Sequence, residues 1–153
     1  MPSIITPITP ARVAIIDQVT GGVSRPWYMF FQSLYENSLA FVSGSGSVVT
    51  QLTSKSTGVT INTLCGQITT SNDSLASDTS VSFTMTNSNI SATDIVMVNV
   101  ASVGGVAPTA NTYSVSCDAV LAGSCRIQIR NISGTAAAQA LVLNFAVIRA
   151  VNA

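Results

Sequence analysis

The sequence has no histidine and very little charge. Six basic and six acidic side chains occur in 153 residues, a charged fraction of 8%, where about 25% is usual for a soluble domain. Without histidine, the usual general base and the Ser-His-Asp and Cys-His arrangements are unavailable. No two carboxylates form a motif suited to paired acid–base work. We therefore expect a protein that is not an enzyme, with no catalytic residues and no cofactor.

Cysteines are also few. Cys65, Cys117 and Cys125 lack C-x-x-C spacing, and without histidine a zinc site would need cysteine and carboxylate ligands alone, which is uncommon. We expect no metal site and mainly structural, reduced thiols. Because a turn signal at 122–124 separates the last two cysteines, a disulfide between Cys117 and Cys125 stays an open alternative.

The scarcity of charge bears on partners. A lone monomer with zero net charge and so few charged groups would be poorly soluble, so we expect partner proteins to cover much of the surface. The six basic residues are scattered, whereas phosphate binding needs clustered lysine and arginine. Nucleic acid is therefore not an expected partner.

Mean hydropathy is high, at +0.49, which raises the alternative of a membrane protein. The most apolar stretch, 136–151, is interrupted by Gln139, Asn144 and Arg149 and is too short to span a bilayer. The amino terminus has no basic region followed by an apolar block, so we expect no signal peptide and no membrane partner.

Prolines and isoleucines alternate in the first 23 residues. Proline lacks a backbone donor and disfavours helix in the preceding residue, so this segment is predicted to be an extended arm. An arm carrying Ile4, Ile5 and Ile8 would not remain free in water. We expect it to lie on another surface.

One helix is predicted, over 25–40. Ser24 is a suitable N-cap and Pro26 falls in the first turn, and aromatic residues recur at helical spacing along one face. Together with the arm, the helix gives a set of candidate anchoring residues: Ile4, Ile5, Ile8, Trp27, Tyr28, Phe30, Phe31 and Leu34. The alternative is that this face only covers the end of the rest of the protein.

The chain changes character after a Gly/Ser linker at 43–47. Short runs of Val, Ile and Thr then alternate with turn residues, which is typical of all-β domains. Strands are predicted over 48–54, 58–63, 66–71, 80–86, 94–101, 112–121, 125–132 and 139–149. The predicted fold class is mainly β: an antiparallel, jelly-roll-like sandwich at 48–153, preceded by an amino-terminal domain, 1–42, made of the extended arm and one amphipathic helix.

Two segments, 95–98 and 141–148, are apolar on both faces, although a strand in a two-layer sandwich is normally polar outside. We interpret this as cover by a second protomer, with Val142, Ala146 and Ile148 at the oligomer interface. The alternative is cover by the protein's own helix or loops.

Several stretches resemble bacteriophage proteins. ITPARV at 8–13 and SRPWYMFF at 24–31 resemble the amino-terminal signature of tailed-phage virion proteins, in which a proline-containing arm leads to an S-R-x-W-Y-x-F-F helix. Met29 stands where that pattern more often has a basic residue. KSTGVTIN at 55–62 with GQIT at 66–69, SVSFTMTNS at 80–88 and RNIS at 130–133 resemble a β module recurrent at the carboxyl ends of phage structural and fibre proteins.

The resemblance implies a virion protein, assembled in the bacterial cytoplasm. Our leading expectation is a homotrimeric short fibre or appendage subunit, attached by residues 1–40 to portal, tail or capsid proteins. A capsid decoration protein is the alternative. A host-glycan binding module ranks lower, because the aromatics of the β domain, Phe83, Tyr113 and Phe145, fall at predicted inward positions.

Overall fold

The structure is a computed structural model that describes residues 13–38, 44–109 and 112–150. The chain divides into two compact units, an amino-terminal unit of residues 1–42 and a β unit of residues 43–153. Helix α1 (Arg25–Ser38) belongs to the first unit, and the eight strands found among the described residues belong to the second.

Helix α1 begins as its capping residue predicts. The carbonyl of Ser24 accepts a hydrogen bond from the Tyr28 amide at 2.9 Å, which makes Ser24 the N-cap residue. Its hydroxyl donates to the Ala14 carbonyl at 2.6 Å and so ties the preceding segment to the start of the helix. Pro26 lies in the first turn, where its missing N–H costs nothing.

Residues 13–23 form a folded turn, so the prediction of an extended arm is wrong for this part of the chain. Ile16 and Val23 form an antiparallel bridge. The Asp17 carboxylate accepts hydrogen bonds from the amides two and three residues further on, at 2.8 and 3.2 Å, and these bonds lower the pKa of Asp17. Gly21 has a φ of +70°, which glycine adopts without strain. Local turn chemistry outweighs the extended tendency here.

The β unit contains eight strands: β1 (Ser47–Thr50), β2 (Val59–Thr60), β3 (Cys65–Thr69), β4 (Ser80–Thr86), β5 (Ile95–Val103), β6 (Tyr113–Leu121), β7 (Ser124–Asn131) and β8 (Leu141–Ile148). Each predicted strand overlaps one of them, so the mainly β prediction is confirmed. Ser47, which composition placed in the linker, is the first residue of β1. The largest difference is at the end of β1, because Gln51 turns inward and is only 3% exposed.

The strands form two four-stranded sheets, in the orders β1-β3-β8-β5 and β2-β4-β7-β6. The sheets are mixed, rather than antiparallel throughout as expected for a jelly-roll-like sandwich, because β1 pairs with β3 and β2 with β4 in parallel. The segment from 51 to 58 links β1 in one sheet to β2 in the other. Alternation of polar and apolar residues is the same in either strand direction, so the sequence pattern could not reveal these parallel pairs.

The core lies between the inward faces of the two sheets. On β7, Ile127 and Ile129 are fully buried while Arg126, Gln128 and Arg130 alternate with them and are exposed. This period of two, predicted from the sequence, is the pattern of a strand wet on one side. The other sheet contributes buried apolar side chains from β3, β5 and β8: Ile68, Val96, Val103, Leu141, Leu143, Phe145 and Val147.

Gly66 on β3 is needed for close packing. A Cβ atom at this position would clash with the Ser47 carbonyl oxygen of β1 and would lie 3.0 Å from Phe145 Cε1 and 3.2 Å from Ile61 Cδ1. Backbone and ring therefore occupy the space that any side chain would take. Gly134, by contrast, has no atom within 4 Å of its Cβ position.

We expect Gly66→Ala to destabilise the β unit, because the added methyl must push β1 or Phe145 away. The cost expected for overpacking a core is about 1–3 kcal/mol, which corresponds to a loss of roughly 5–15 °C in melting temperature. Gly134→Ala is the matched control and should leave the melting temperature within about 2 °C of the wild type, the scale of an unconstrained surface change. Circular dichroism melts of both variants test this, and equal melting temperatures would contradict it.

Candidate functional site

The charged side chains of the β unit form ion pairs with one another. Each of its four carboxylates lies within 4 Å of a basic side chain: Asp73 with Lys55 at 3.5 Å, Asp78 with Arg130 at 3.7 Å, Asp94 with Arg149 at 2.8 Å and Asp118 with Arg126 at 2.7 Å. Within the described ranges no three His, Cys, Asp or Glu side chains come together as metal ligands. These groups serve ion pairs and hydrogen bonds.

Lys55 is the one lysine of the sequence, and it is only 1% exposed. Its ammonium donates to the carbonyls of Ser71, at 2.8 Å, and Asp73, and lies 3.5 Å from the Asp73 carboxylate. Burial lowers the pKa of Lys55, and attraction to the Asp73 carboxylate opposes that shift. With its donors directed at these oxygens, Lys55 ties the 51–58 link to the end of β3.

Two buried asparagines close turns in a similar way. Asn131, fully buried, donates from Nδ2 to the carbonyls of Leu75 and Thr135, at 2.9 and 2.8 Å, and accepts from Ser133. Asn131 and Ser133 belong to one of three N-x-S/T sequences in the chain that match the N-glycosylation pattern. Because the amide is enclosed and hydrogen-bonded, this position is structural. Asn87, also fully buried, donates from Nδ2 to the Thr63 carbonyl at 2.7 Å.

Cys65, Cys117 and Cys125, all within the described ranges, form no disulfide with one another. Cys117 and Cys125 lie on the neighbouring strands β6 and β7, which are in antiparallel register with a bulge between Asp118 and Leu121. A hydrogen bond with Cys117 and burial both raise the pKa of Cys125. Cys65 is half-buried on β3.

One cleft of about 440 Å³ lies between the loop after β5 and the segment before β8. Its lining consists of small apolar and hydroxyl side chains, with Gln139 as the largest polar group. None of the lining side chains among the described residues titrates near neutral pH. We assign it no function.

The first surface suited to assembly is the helix. Trp27, Phe30 and Phe31 form an aromatic cluster with ring centroids 5.7–5.8 Å apart, and the Trp27 indole donates to the Val13 carbonyl at 2.8 Å. Trp27 and Phe30 are half-buried, so both help to hold the amino-terminal unit together. Leu34, in contrast, is 58% exposed.

The candidate anchoring residues therefore divide into groups. Tyr28 and Leu34 are exposed. Phe31 is also exposed but packs against the half-buried rings of Trp27 and Phe30 within its own unit. Ile4, Ile5 and Ile8 lie outside the described residues. Met29 and Tyr35, which are not among the predicted anchoring residues, are also exposed. Tyr35 follows Phe31 by four residues and Tyr28 by seven, a spacing that brings side chains together on one side of a helix, whereas Met29 lies on another side.

The second surface is the outer face of one of the two sheets, and the outer faces of the two sheets differ in character. The face of β2-β4-β7-β6 is polar: serine and threonine on β4 and β6 flank Arg126, Gln128 and Arg130 on β7, and Arg126 forms a two-pronged pair with Asp118 at 2.7 and 2.9 Å. A face of this kind is readily solvated.

The outer face of β1-β3-β8-β5 is different, and we call it the uncharged face. By strand register it consists of Val48, Thr50, Cys65, Gln67, Thr69, Ile95, Met97, Asn99, Ser102, Val142, Asn144, Ala146 and Ile148. None of these side chains is charged. Ile95 and Met97 are 56% and 59% exposed, so the face presents apolar groups to water.

The predicted oligomer-interface residues all lie on the uncharged face. Val142 and Ala146 are half-buried and Ile148 is exposed. Ile95 and Met97 pair with Ile148 and Ala146 across β5 and β8 and belong to the same surface, although the sequence interpretation did not include them. The doubly apolar pattern of 95–98 was the signal that could have found them.

Comparisons with protein-family models, with curated proteins and with solved structures found no match to this chain. Among the described residues, no helix has the length and apolar character needed to cross a membrane.

We expect Lys55→Met to destabilise the β unit although it replaces a charge with an apolar group of similar length. The substitution leaves the Ser71 and Asp73 carbonyls without their donor, and losing one partner of a buried network typically costs about 2–4 kcal/mol. Arg126→Met is the control, because its ion pair is exposed and such pairs contribute little. Chemical denaturation should show a far larger loss of unfolding free energy for Lys55→Met, and similar losses in both variants would contradict a structural role.

Proposed function

We propose that this protein is a structural subunit of a bacteriophage virion, and that it works through contacts with other proteins rather than by catalysis. The observation that carries the proposal is the uncharged face. In a chain with few charges, the exposed charged pair on β6 and β7 lies on the opposite sheet. The uncharged face exposes Ile95, Met97 and Ile148. A contiguous apolar surface of this kind marks a protein contact.

The helix supports the same conclusion. Phe31, Leu34 and Tyr35 are 46%, 58% and 64% exposed, and large aromatic and apolar side chains dominate the binding energy of protein interfaces. The amino-terminal unit thus offers a second contact surface, separate in sequence from the first. Two contact surfaces on one short chain suit a subunit that joins neighbours of its own kind to another component.

The resemblance to tailed-phage virion proteins is the reason for proposing that the assembly is a virion. The similar stretches at 8–13 and 24–31 fall in the amino-terminal unit, and those at 55–62, 80–88 and 130–133 fall in the β unit. Our proposal is an oligomeric fibre or appendage subunit, anchored through residues 1–42 and presenting the β unit outward. Portal, tail or capsid proteins are the proposed partners of the anchor.

A capsid decoration protein is the second candidate. It is favoured by the uncharged face itself, since a sheet surface without charge could also lie against a shell. The two candidates differ in copy number: hundreds of copies per particle indicate decoration, and a few dozen or fewer indicate an appendage. Quantitative mass spectrometry of purified particles distinguishes them.

The helix provides the test of anchoring. A Tyr28→Ala, Leu34→Ala double variant should fold normally, because both side chains are more than half exposed, at 59% and 58%, yet should be present in purified particles at less than a tenth of the wild-type level. An interface hot spot contributes about 2 kcal/mol or more, which is more than tenfold in affinity. Val19→Ala is the control, since Val19 is 94% exposed in the same unit but outside the helix.

The measurement is the protein content of particles assembled with each variant, alongside its melting temperature. Normal incorporation of the double variant would refute anchoring through the helix. A large fall in melting temperature would show instead that these side chains are part of a core. Absence of even the wild-type protein from particles would refute the virion assignment itself.

A further inference from the structure

We propose that the uncharged face is covered by the uncharged face of a second copy of this chain, related to the first by a two-fold axis, in place of the homotrimer expected from the sequence. The inference rests on the proposed function, since it names the partner of a surface assigned there. Four features of the face indicate that its partner is the same face of a second copy: its charge, its amide groups, the distribution of its side-chain sizes and its area.

Charge is the first feature. A two-fold interface brings the same patch of both molecules together, so any charge near the axis would face its own copy and be repelled. The uncharged face carries none. The nearest ion pair is Arg149 with Asp94, at 2.8 Å, and these residues directly follow β8 and precede β5, beyond the row of Ile95 and Ile148. An apolar centre with a polar rim is the usual anatomy of a protein interface.

The second feature is a row of amides across the middle of the face. Asn99 pairs in register with Asn144, and Asn144 with Gln67; Gln67 Nε2 donates to Asn144 Oδ1 at 2.9 Å. No bond within the described part of the chain occupies Asn144 Nδ2 or Gln67 Oε1. Carboxamides both donate and accept, so an identical row in a facing copy can satisfy them, whereas an apolar partner would bury them unpaired.

The third feature is side-chain size. Along β5, Ile95 and Met97 lie toward one end of the face, and the smaller Ser102 lies toward the other. A two-fold axis running in the interface through the amide row, perpendicular to the strands, places Met97 of one copy over Ser102 of its partner. The amide row then lies near the axis, opposite its own copy.

Area sets the expected affinity. The four strands of the face contain 26 residues, which at about 3.3 Å along a strand and about 4.8 Å between strands cover roughly 400 Å² in projection. Stable interfaces bury about 800 Å² of accessible surface on each partner. Side-chain relief adds to the projected area, but the face stays below that size. The pairing is therefore of moderate strength, formed at micromolar concentration and favoured further within an assembly.

Cross-linking of the full chain tests the geometry. Asn144→Cys adds one thiol near the proposed axis, and Ser116→Cys adds one thiol to the exposed outer face of the other sheet. After mild oxidation with copper phenanthroline, we expect a covalent dimer from Asn144→Cys on a non-reducing gel and no more than the wild-type background from Ser116→Cys. Equal cross-linking of the two variants would overturn the proposal.

Sedimentation of the full chain tests the pairing without new thiols. We expect a monomer–dimer equilibrium at micromolar concentration, weakened more than tenfold by Met97→Lys, which sets like charges on the two copies, and unchanged by Ser82→Lys on the opposite sheet. A monomer up to about 100 µM, or a trimer, would overturn the two-fold arrangement; 100 µM corresponds to a binding free energy weaker than a moderate interface provides. Incorporation of the protein into particles despite that outcome would leave the proposed function standing.

Discussion

The close approach of the two sheets is the constraint on which the rest of the β unit depends. Apolar side chains from both inward faces fill one core, and Ile127, Leu141 and Leu143 within it are fully buried. Glycine at position 66 lets β1 and the Phe145 ring come close together over β3. Such packing is sensitive to a single methyl group, so the positions of the edge strands, and hence of both outer faces, follow from it.

Where the chain passes between sheets, apolar packing alone would leave backbone groups unsatisfied. The structure meets this need with buried polar side chains: Lys55 binds the end of β3, Asn87 binds the Thr63 carbonyl, and Asn131 binds both sides of the turn after β7. Among the described residues every buried side-chain nitrogen and oxygen has a partner. These few polar groups stabilise loops that a small core could not hold by itself.

The contrast between the outer faces links the fold to its proposed use. The outer face of one sheet is readily solvated, because the exposed Arg126 and Arg130 alternate there with core residues. The other sheet exposes Met97 and keeps Ala146 half-buried, with the Gln67–Asn144 amide pair between polar and apolar rows. A surface of this composition is poorly solvated alone and well suited to burial in an assembly.

The amino-acid sequence determined the helix, the eight strands and the alternation of core and surface residues, because these depend on local spacing. It also indicated the uncharged face, since 95–98 and 141–148 are apolar on both sides, and it predicted Val142, Ala146 and Ile148 as oligomer-interface residues, which lie on that face. Asp17 and Gly21 are typical turn residues and could have predicted the turn, but the nearby prolines favoured the prediction of an extended arm.

Only the tertiary structure decided the rest. The parallel pairs β1–β3 and β2–β4 leave no trace in a two-residue period, because alternation carries no direction. Lys55 can be buried because its ammonium donates to the carbonyls of Ser71 and Asp73, sixteen and eighteen residues away. Trp27 is held within its own unit by its hydrogen bond to the Val13 carbonyl. Strand register placed Ile95 and Met97 beside Ile148 and Ala146. Contacts between distant residues set these features, and no local pattern encodes them.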